Sequence, residues 1–179
     1  APVVDENGPF KMLVTTLHMD PFVGRVLTGR ITSGSVKTNQ LIKALDRNGN
    51  VVETARVSRI LAFRGLKHQA IEEGIPGDIV SISGFQKATV ADTLCEQSVS
   101  EPMQAQPIDP PTLAMTFSIN TSPLAGQDGD KVTSRMIWDR LEKEAEGNVA
   151  LKISRTDTTD AFEVAGRGEL QLGILIETM

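Results

Sequence analysis

Phe162-Glu163-Val164-Ala165-Gly166-Arg167-Gly168-Glu169-Leu170-Gln171-Leu172-Gly173-Ile174-Leu175-Ile176-Glu177-Thr178-Met179 changes periodicity in its middle. Phe162 and Val164 alternate with Glu163 as the residues of a strand do. Gly166 and Gly168 can take backbone angles closed to other residues, so the chain is expected to reverse there at little steric cost. Leu170, Leu172, Ile174, Leu175 and Ile176 then cover most of a helix circumference, which predicts a helix buried nearly all round. Such a helix needs a sheet or a partner over it. No strand follows Met179, so the stretch reads as a piece cut inside a domain.

Working upstream, Thr112 to Ile119 alternates, with Leu113, Met115, Phe117 and Ile119 on one face. Asn120 to Gly129 is a loop, and Asp130 is placed to accept the first amide bonds of a helix. Val132, Met136, Ile137, Leu141 and Ala145 repeat at helical spacing, and Gly147-Asn148 is expected to end that helix. Val149, Leu151 and Ile153 make a second strand and Phe162 to Val164 a third. The order strand, helix, strand, strand, helix lacks one strand of a ferredoxin-like split βαβ unit. The missing strand would pair with Thr112 to Ile119, so that edge is expected to be open and able to pair with another chain.

Between Glu101 and Pro111 lie Pro102, Pro107, Pro110 and Pro111 with almost no periodicity, the composition of a semi-rigid spacer. Residues 1–103 are expected to form one domain, 104–111 a linker, and 112–179 the truncated ferredoxin-like domain. The first domain reads as short strands between turns. Met12 to Leu17 is β-rich, Asp20-Pro21 turns, and Val23 to Ile31 is strand-like with glycines where a small barrel bends. Thr32 to Ser35 closes a hairpin, Leu41 to Leu45 is a strand, and Asp46-Arg47-Asn48-Gly49-Asn50 is a hairpin turn whose Asn-Gly accepts positive φ twice. Val51 to Phe63 runs extended, and Gly74 to Asp78 turns into Ile79 to Ser83. The fold expected is an antiparallel β-barrel followed by an α+β unit.

Hydrophobic residues make up 40% of the chain and charged ones 23%, ordinary values for a globular protein. No apolar run reaches the roughly 18 residues of a membrane span. Cys95 is the only cysteine, which fits a reducing compartment, so the cytoplasm is expected. The net charge of −5 hides an uneven distribution. From residue 25 to 67 the cations Arg25, Arg30, Lys37, Lys43, Arg47, Arg56, Arg59, Arg64 and Lys67 face only Asp46 and Glu53. Such a surface attracts a polyanion. Arg30, Lys37, Arg56, Arg59, Arg64 and Lys67 are the candidate RNA-phosphate contacts in the barrel, with Arg135, Arg155 and Arg167 in the second domain. The aromatic content of 4%, without tyrosine, argues for contact through phosphate and shape rather than base stacking.

Other chemistry lacks its residues. His18, His68 and Cys95 are isolated, without metal-ligand spacing. Asp128 and Asp130 begin like a calcium loop, but Thr133 stands where glycine is needed and no glutamate closes it. Gly24 to Ile31 approaches a phosphate-binding loop, yet Arg30 replaces its lysine and Ile31 its hydroxyl. Gly166-Arg167-Gly168 has Gln171 where a dinucleotide fingerprint needs its third glycine. Trp138 is expected in a core or interdomain contact.

Gly24-Arg25-Val26-Leu27-Thr28-Gly29-Arg30-Ile31-Thr32-Ser33-Gly34, Pro76-Gly77-Asp78-Ile79-Val80 and Asp92-Thr93-Leu94 resemble the second-domain barrel of translational GTPases. Asn39 stands where that family usually has glycine, and asparagine tolerates the left-handed conformation. Thr121 to Arg135, Asp139-Arg140-Leu141, Asn148-Val149-Ala150-Leu151 and Gly166-Arg167-Gly168-Glu169-Leu170 resemble the third domain of the BipA/TypA GTPases, with Gln171 in place of a common histidine and Gly173 of a usual serine. The resemblance implies a ribosome-docking segment of a protein of large-subunit assembly and stress adaptation. GTP and magnesium would sit in an N-terminal domain outside these residues, leaving this segment with no catalytic, cofactor or metal residues of its own. It also implies rRNA, ribosomal proteins, the protein's own GTPase domain and its C-terminal domains as partners, and no membrane. The same region of an elongation-factor-G-like or ribosomal-protection protein, or a protein-interaction module without RNA binding, stays open at this point.

Overall fold

The computed structural model describes residues 5–65, 67–106, 109–127, 133–158 and 160–179. It divides into two compact units, 1–106 and 107–179.

The first unit is β throughout. Its strands are β1 (Lys11–Asp20), β2 (Gly24–Ser33), β3 (Val36–Lys37), β4 (Leu41–Leu45), β5 (Val51–Arg56), β6 (Arg59–Arg64), β7 (Lys67–Ile71), β8 (Glu73–Gly74), β9 (Ile79–Ser83) and β10 (Thr93–Cys95). Eight of them form an antiparallel sheet in the order β5-β4-β10-β1-β2-β9-β6-β7, and β3 pairs with β8. The sheet rolls on itself as a barrel around one core that includes Met12, Leu27, Ile31, Ile42, Ile60 and Ile82. Backbone bonds beyond the strand ladders add to it, among them Asn39 N–H to the Val57 carbonyl and Ile31 N–H to that of Asp78.

Alternation places the apolar residues inward, and one bulge keeps β1 in step. Val14 lies opposite Gly29 and Thr16 opposite Thr28, leaving Thr15 as the extra residue. Its hydroxyl donates to the Thr28 carbonyl at 3.0 Å. Met12 and Val14 on one side of the bulge and Leu17 on the other therefore all reach the core. Gly29 permits this close approach, because a Cβ there would run into the Leu13 carbonyl oxygen.

Two turns differ in detail from expectation. Between β4 and β5 only Gly49 has positive φ (84°). Asp46 takes over part of the turn's work, accepting the Asn48 and Asn50 N–H groups at 2.8 Å each. Val51 to Phe63 is not one extended run but β5 and β6, separated at the buried Val57 and at Ser58. Asn39 does adopt the left-handed conformation, at φ 68°.

The second unit runs β11 (Leu113–Ser118), α1 (Ser134–Gly147), β12 (Lys152–Arg155), β13 (Ala161–Gly166) and α2 (Glu169–Thr178). The antiparallel sheet has the order β11-β13-β12, so β13 separates the two strands joined through α1, as in a split βαβ arrangement. Leu141, Leu151, Phe162, Val164, Leu172 and Leu175 make its core. Among the described residues β11 pairs only with β13.

Thr133 caps α1, its hydroxyl accepting the Met136 N–H at 3.3 Å; Asp130, expected in that role, lies outside the described residues. The C-terminus of α1 also departs from expectation. Gly147 is the last helical residue and Asn148 leaves in an extended conformation, with no left-handed glycine.

α2 corrects the reading of the apolar run. Only Leu172 and Leu175 are buried, while Leu170 is 79% exposed and Ile174 and Ile176 about half exposed. A helix lying on one sheet buries one stripe, however apolar its remaining positions are. Neither glycine before it is left-handed. Gly168 is extended at φ 172°. At Gly166 a Cβ would sit 2.9 Å from the Gln171 Oε1 that accepts the Arg167 N–H, so a larger residue there would displace that side chain.

Candidate nucleic-acid interface

The barrel cations divide into those tied into the fold and those held out from it. Arg25 Nη1 donates to the Ala88 carbonyl at 3.1 Å, and Lys43 Nζ to that of Gln97 at 2.9 Å. Of the six expected barrel contacts, Lys37 lies 3.6 Å from Glu73 and Arg56 donates to the Asn39 carbonyl at 3.1 Å. Arg59 opens β6 opposite Ser83. It contributes its charge to holding the Asp20 carboxyl below the usual range, after the Phe22 and Val23 N–H bonds and His18.

Arg30, Arg64 and Lys67 remain, and the sheet register gathers them. Arg30 pairs with Ile79 across β2 and β9, and β9 pairs onward to β6 as far as Ala62↔Val80. One residue beyond that rung, Phe63 is level with Ile79, and Phe63 pairs in turn with His68. Arg64 pairs with Lys67 at the end of the hairpin. Ile31, Val80 and Ala62 point into the core. Their neighbours Arg30, Ile79 and Phe63 therefore lie on the outer face. None of the three cations makes an ion pair among the described residues, where such pairs join Lys37 to Glu73, Arg135 to Asp139 and Arg140 to Glu144. Arg64 has only a long bond, 3.4 Å, to the adjacent Phe63 carbonyl.

The two carboxylates within the basic stretch keep their charge but pair with none of its cations among the described residues, because backbone amides occupy them. Asp46 is held below the usual carboxylate range by the Asn50 side chain and the turn amides. Glu53 accepts the N–H groups of Gln86, Lys87 and Ala88 at 3.1, 2.6 and 2.6 Å. Burial pushes the Asp92 carboxyl and the Cys95 thiol up; Cys95 is fully enclosed, which keeps the thiol protonated and inert.

The second-unit candidates are dispersed. Arg135 stands 4.0 Å from Asp139 on the exposed side of α1. The Arg155 guanidinium lies 4.6 Å over the Trp138 ring, which itself packs 5.2 Å from Phe162. Trp138 is thus a core-edge residue carrying a cation. Arg167 is exposed beside the start of α2. What sequence reasoning missed is Phe63, His68 and Ile79. The signal was the sequence Phe63-Arg64-Gly65-Leu66-Lys67-His68, whose Gly65 turns at φ 63° and sets Phe63 against His68. Among the described residues no metal-ligating cluster occurs and no helix is long and apolar enough to cross a membrane. Asp128 and Asp130 lie outside those residues.

The barrel places the chain among proteins with a translation-factor domain: residues 24–95 match the elongation factor Tu domain 2 family. A solved protein from Thermus thermophilus shares the fold over 95% of this chain and 24% of its own, with TM-score 0.65 at 20% identity. Over all 179 residues the chain is 42% identical to the large ribosomal subunit assembly factor BipA of Buchnera aphidicola and 43% to that of Escherichia coli K12. Over 178 residues it is 44% identical to BipA of a Synechocystis species. The chain is thus similar over its whole length to the BipA assembly factors. It spans 29 to 30% of the length of these relatives.

Proposed function

We propose that this chain is the ribosome-docking part of a BipA-type GTP-binding protein of large-subunit assembly and stress adaptation, acting in the cytoplasm. The observation that supports the reading is the gathering of Arg30, Arg64 and Lys67, free of ion pairs among the described residues, toward the β6–β7 hairpin, with Arg30 on the outer face and Arg64 and Lys67 exposed at the hairpin tip. Three such cations on a rigid sheet fit rRNA phosphates, where each contact releases condensed counterions. Arg59, Lys37 and Arg56 add to the field from elsewhere on the barrel, and Arg135, Arg155 and Arg167 from the second unit. In this reading residues 1–103 dock, 104–111 link, and 112–179 relay the rearrangement set by nucleotide. GTP and magnesium belong to a GTPase domain preceding this segment, which along with C-terminal domains and ribosomal proteins completes its partners. This segment then has a mechanical role and no hydrolytic one.

The test is co-sedimentation with large ribosomal subunits of the chain and of its Arg30→Glu, Arg64→Glu, Lys67→Glu variant. Binding is expected to weaken at least about tenfold, since each contact trades phosphate attraction for repulsion. Unchanged co-sedimentation would refute it.

A further inference from the structure

The β6–β7 hairpin reaches past the strand beside it. β9 pairs with β6 only as far as Ala62↔Val80, and β7 has no neighbour but β6. The rungs Phe63↔His68 and Arg64↔Lys67 therefore stand beyond the last one shared with β9. Two residues of strand carry the tip about 7 Å farther. Gly65, at φ 63°, turns the chain there. Lys67, His68, Gln69 and Ala70 are exposed in succession, so among the described residues neither face of β7 is covered along them.

Alternation puts Phe63 and His68 on one face of this ribbon and Arg64 and Lys67 on the other, the face that Ala62 turns to the core farther down. Arg64 and Lys67 are thus like charges directly opposite each other, with Cβ atoms about 5 Å apart, an arrangement that destabilises a hairpin. The fold does not relieve it. Ion pairs among the described residues join other groups. Asp78, just before β9, turns its Oδ2 to the Ile75 N–H at 3.4 Å. Gln69, opposite Ala62, is the next exposed side chain on the cationic face, so that face holds no large apolar anchor.

We propose that the Arg64–Lys67 rung is a seat for two successive phosphates of one RNA strand, and that the free hairpin is less stable for keeping it. The inference rests on the rRNA-docking reading above and deepens it, naming the sugar–phosphate backbone as what the tip meets. Charge and shape choose the occupant. A carboxylate from a protein partner has two oxygens, which the Arg64 fork alone takes up, leaving Lys67 against a guanidinium. A phosphodiester chain brings a separate anion to each cation at a repeating interval. Protein interfaces are built around buried aromatic or apolar anchors, and this face has none. Contact through phosphate carries no base information, so the seat adds affinity and position rather than sequence choice. Arg30, on the outer face, is a separate contact.

The test measures stability and binding on the same variants of the 179-residue chain, with a short RNA duplex and large ribosomal subunits as probes. Arg64→Glu and Lys67→Glu each turn the like-charge rung into an ion pair. Each is expected to raise the thermal midpoint of the barrel by about 1–3 °C while weakening RNA binding about tenfold. Reversing both restores a like-charge rung, so the midpoint is expected to return to that of the parent while binding falls further. Arg64→Gln and Lys67→Gln are each expected to flatten the slope of log K against log salt by about 0.7–0.9, and the double variant by the sum. A double variant no flatter than either single one would overturn the two-phosphate seat. So would single reversals that bind like the parent, or midpoints that do not rise in either of them. Polyglutamate bound as tightly as RNA would make the occupant an acidic protein and overturn it as well. Absence of any salt-dependent binding of the parent to the duplex or to large ribosomal subunits would overturn the docking reading itself.

Discussion

Asp92 sits just before β10 with a carboxyl that is largely enclosed, accepting the Thr89 N–H at 2.8 Å. Desolvation raises its folded pKa above the ordinary value despite that bond. The sign follows by linkage. Below the unfolded pKa the group is neutral in both states and burial costs nothing; as pH climbs to the raised folded value, the folded state must bury a charge and loses stability. Asp92→Asn keeps an acceptor for Thr89 without the charge. The urea midpoint of this variant is therefore expected to gain on that of the parent as pH rises from below the ordinary carboxylate range through the raised folded pKa, and to hold that advantage at pH 7. A midpoint lower at pH 7 than at pH 3, relative to the parent, would contradict this. Asp20 and Asp46 pull the opposite way, because turn amides favour their charged forms. Sequence could say that Asn39 tolerates a left-handed turn, and the chain uses it so. It could not say that a Cβ at Gly166 would press on the Gln171 side chain while one at Gly168 would meet open space, since that depends on where the Gln171 side chain returns.

At the scale of elements, α2 separates composition from burial. Its apolar residues are indistinguishable by type, but only Leu172 and Leu175 meet the core. Leu172→Ala is expected to cost about 2–5 kcal/mol, whereas Leu170→Ala should stay within about 0.5 kcal/mol. Comparable losses in chemical denaturation would mean the helix is covered on both sides. Strand order and type were legible because alternation in β11 and β13 and the helical spacing of α1 are local patterns. The all-round burial expected of α2 failed because hydropathy reports what a helix can bury, and its neighbours decide what it does bury. Among the described residues one side of β11 is open, which bears on association. Its backbone groups, with Met115 41% exposed on the same strand, offer a template for a second chain. We expect weak self-association, seen as a rise in weight-average mass with concentration in light scattering; a strict monomer at millimolar concentration would count against it.

For the whole molecule, charge segregation carries the functional account. The excess of cations between residues 25 and 67 was visible in the sequence, but not which of them were available. Arg25 and Lys43 donate to backbone carbonyls, Lys37 pairs with Glu73, and only the register of β2, β9, β6 and β7 brings Arg30, Arg64 and Lys67 together. Register is a long-range property, set by closing the barrel, so composition could not reveal the site. The central claim is that this end of the barrel meets phosphate. Its most direct measurement is the affinity of the chain for large ribosomal subunits across a salt series, for the parent and the triple charge reversal. The account predicts a parent log–log slope of about −2 to −3, from three phosphate contacts, and a much flatter line for the variant. A parent affinity independent of salt, or equal slopes for the two proteins, would contradict it.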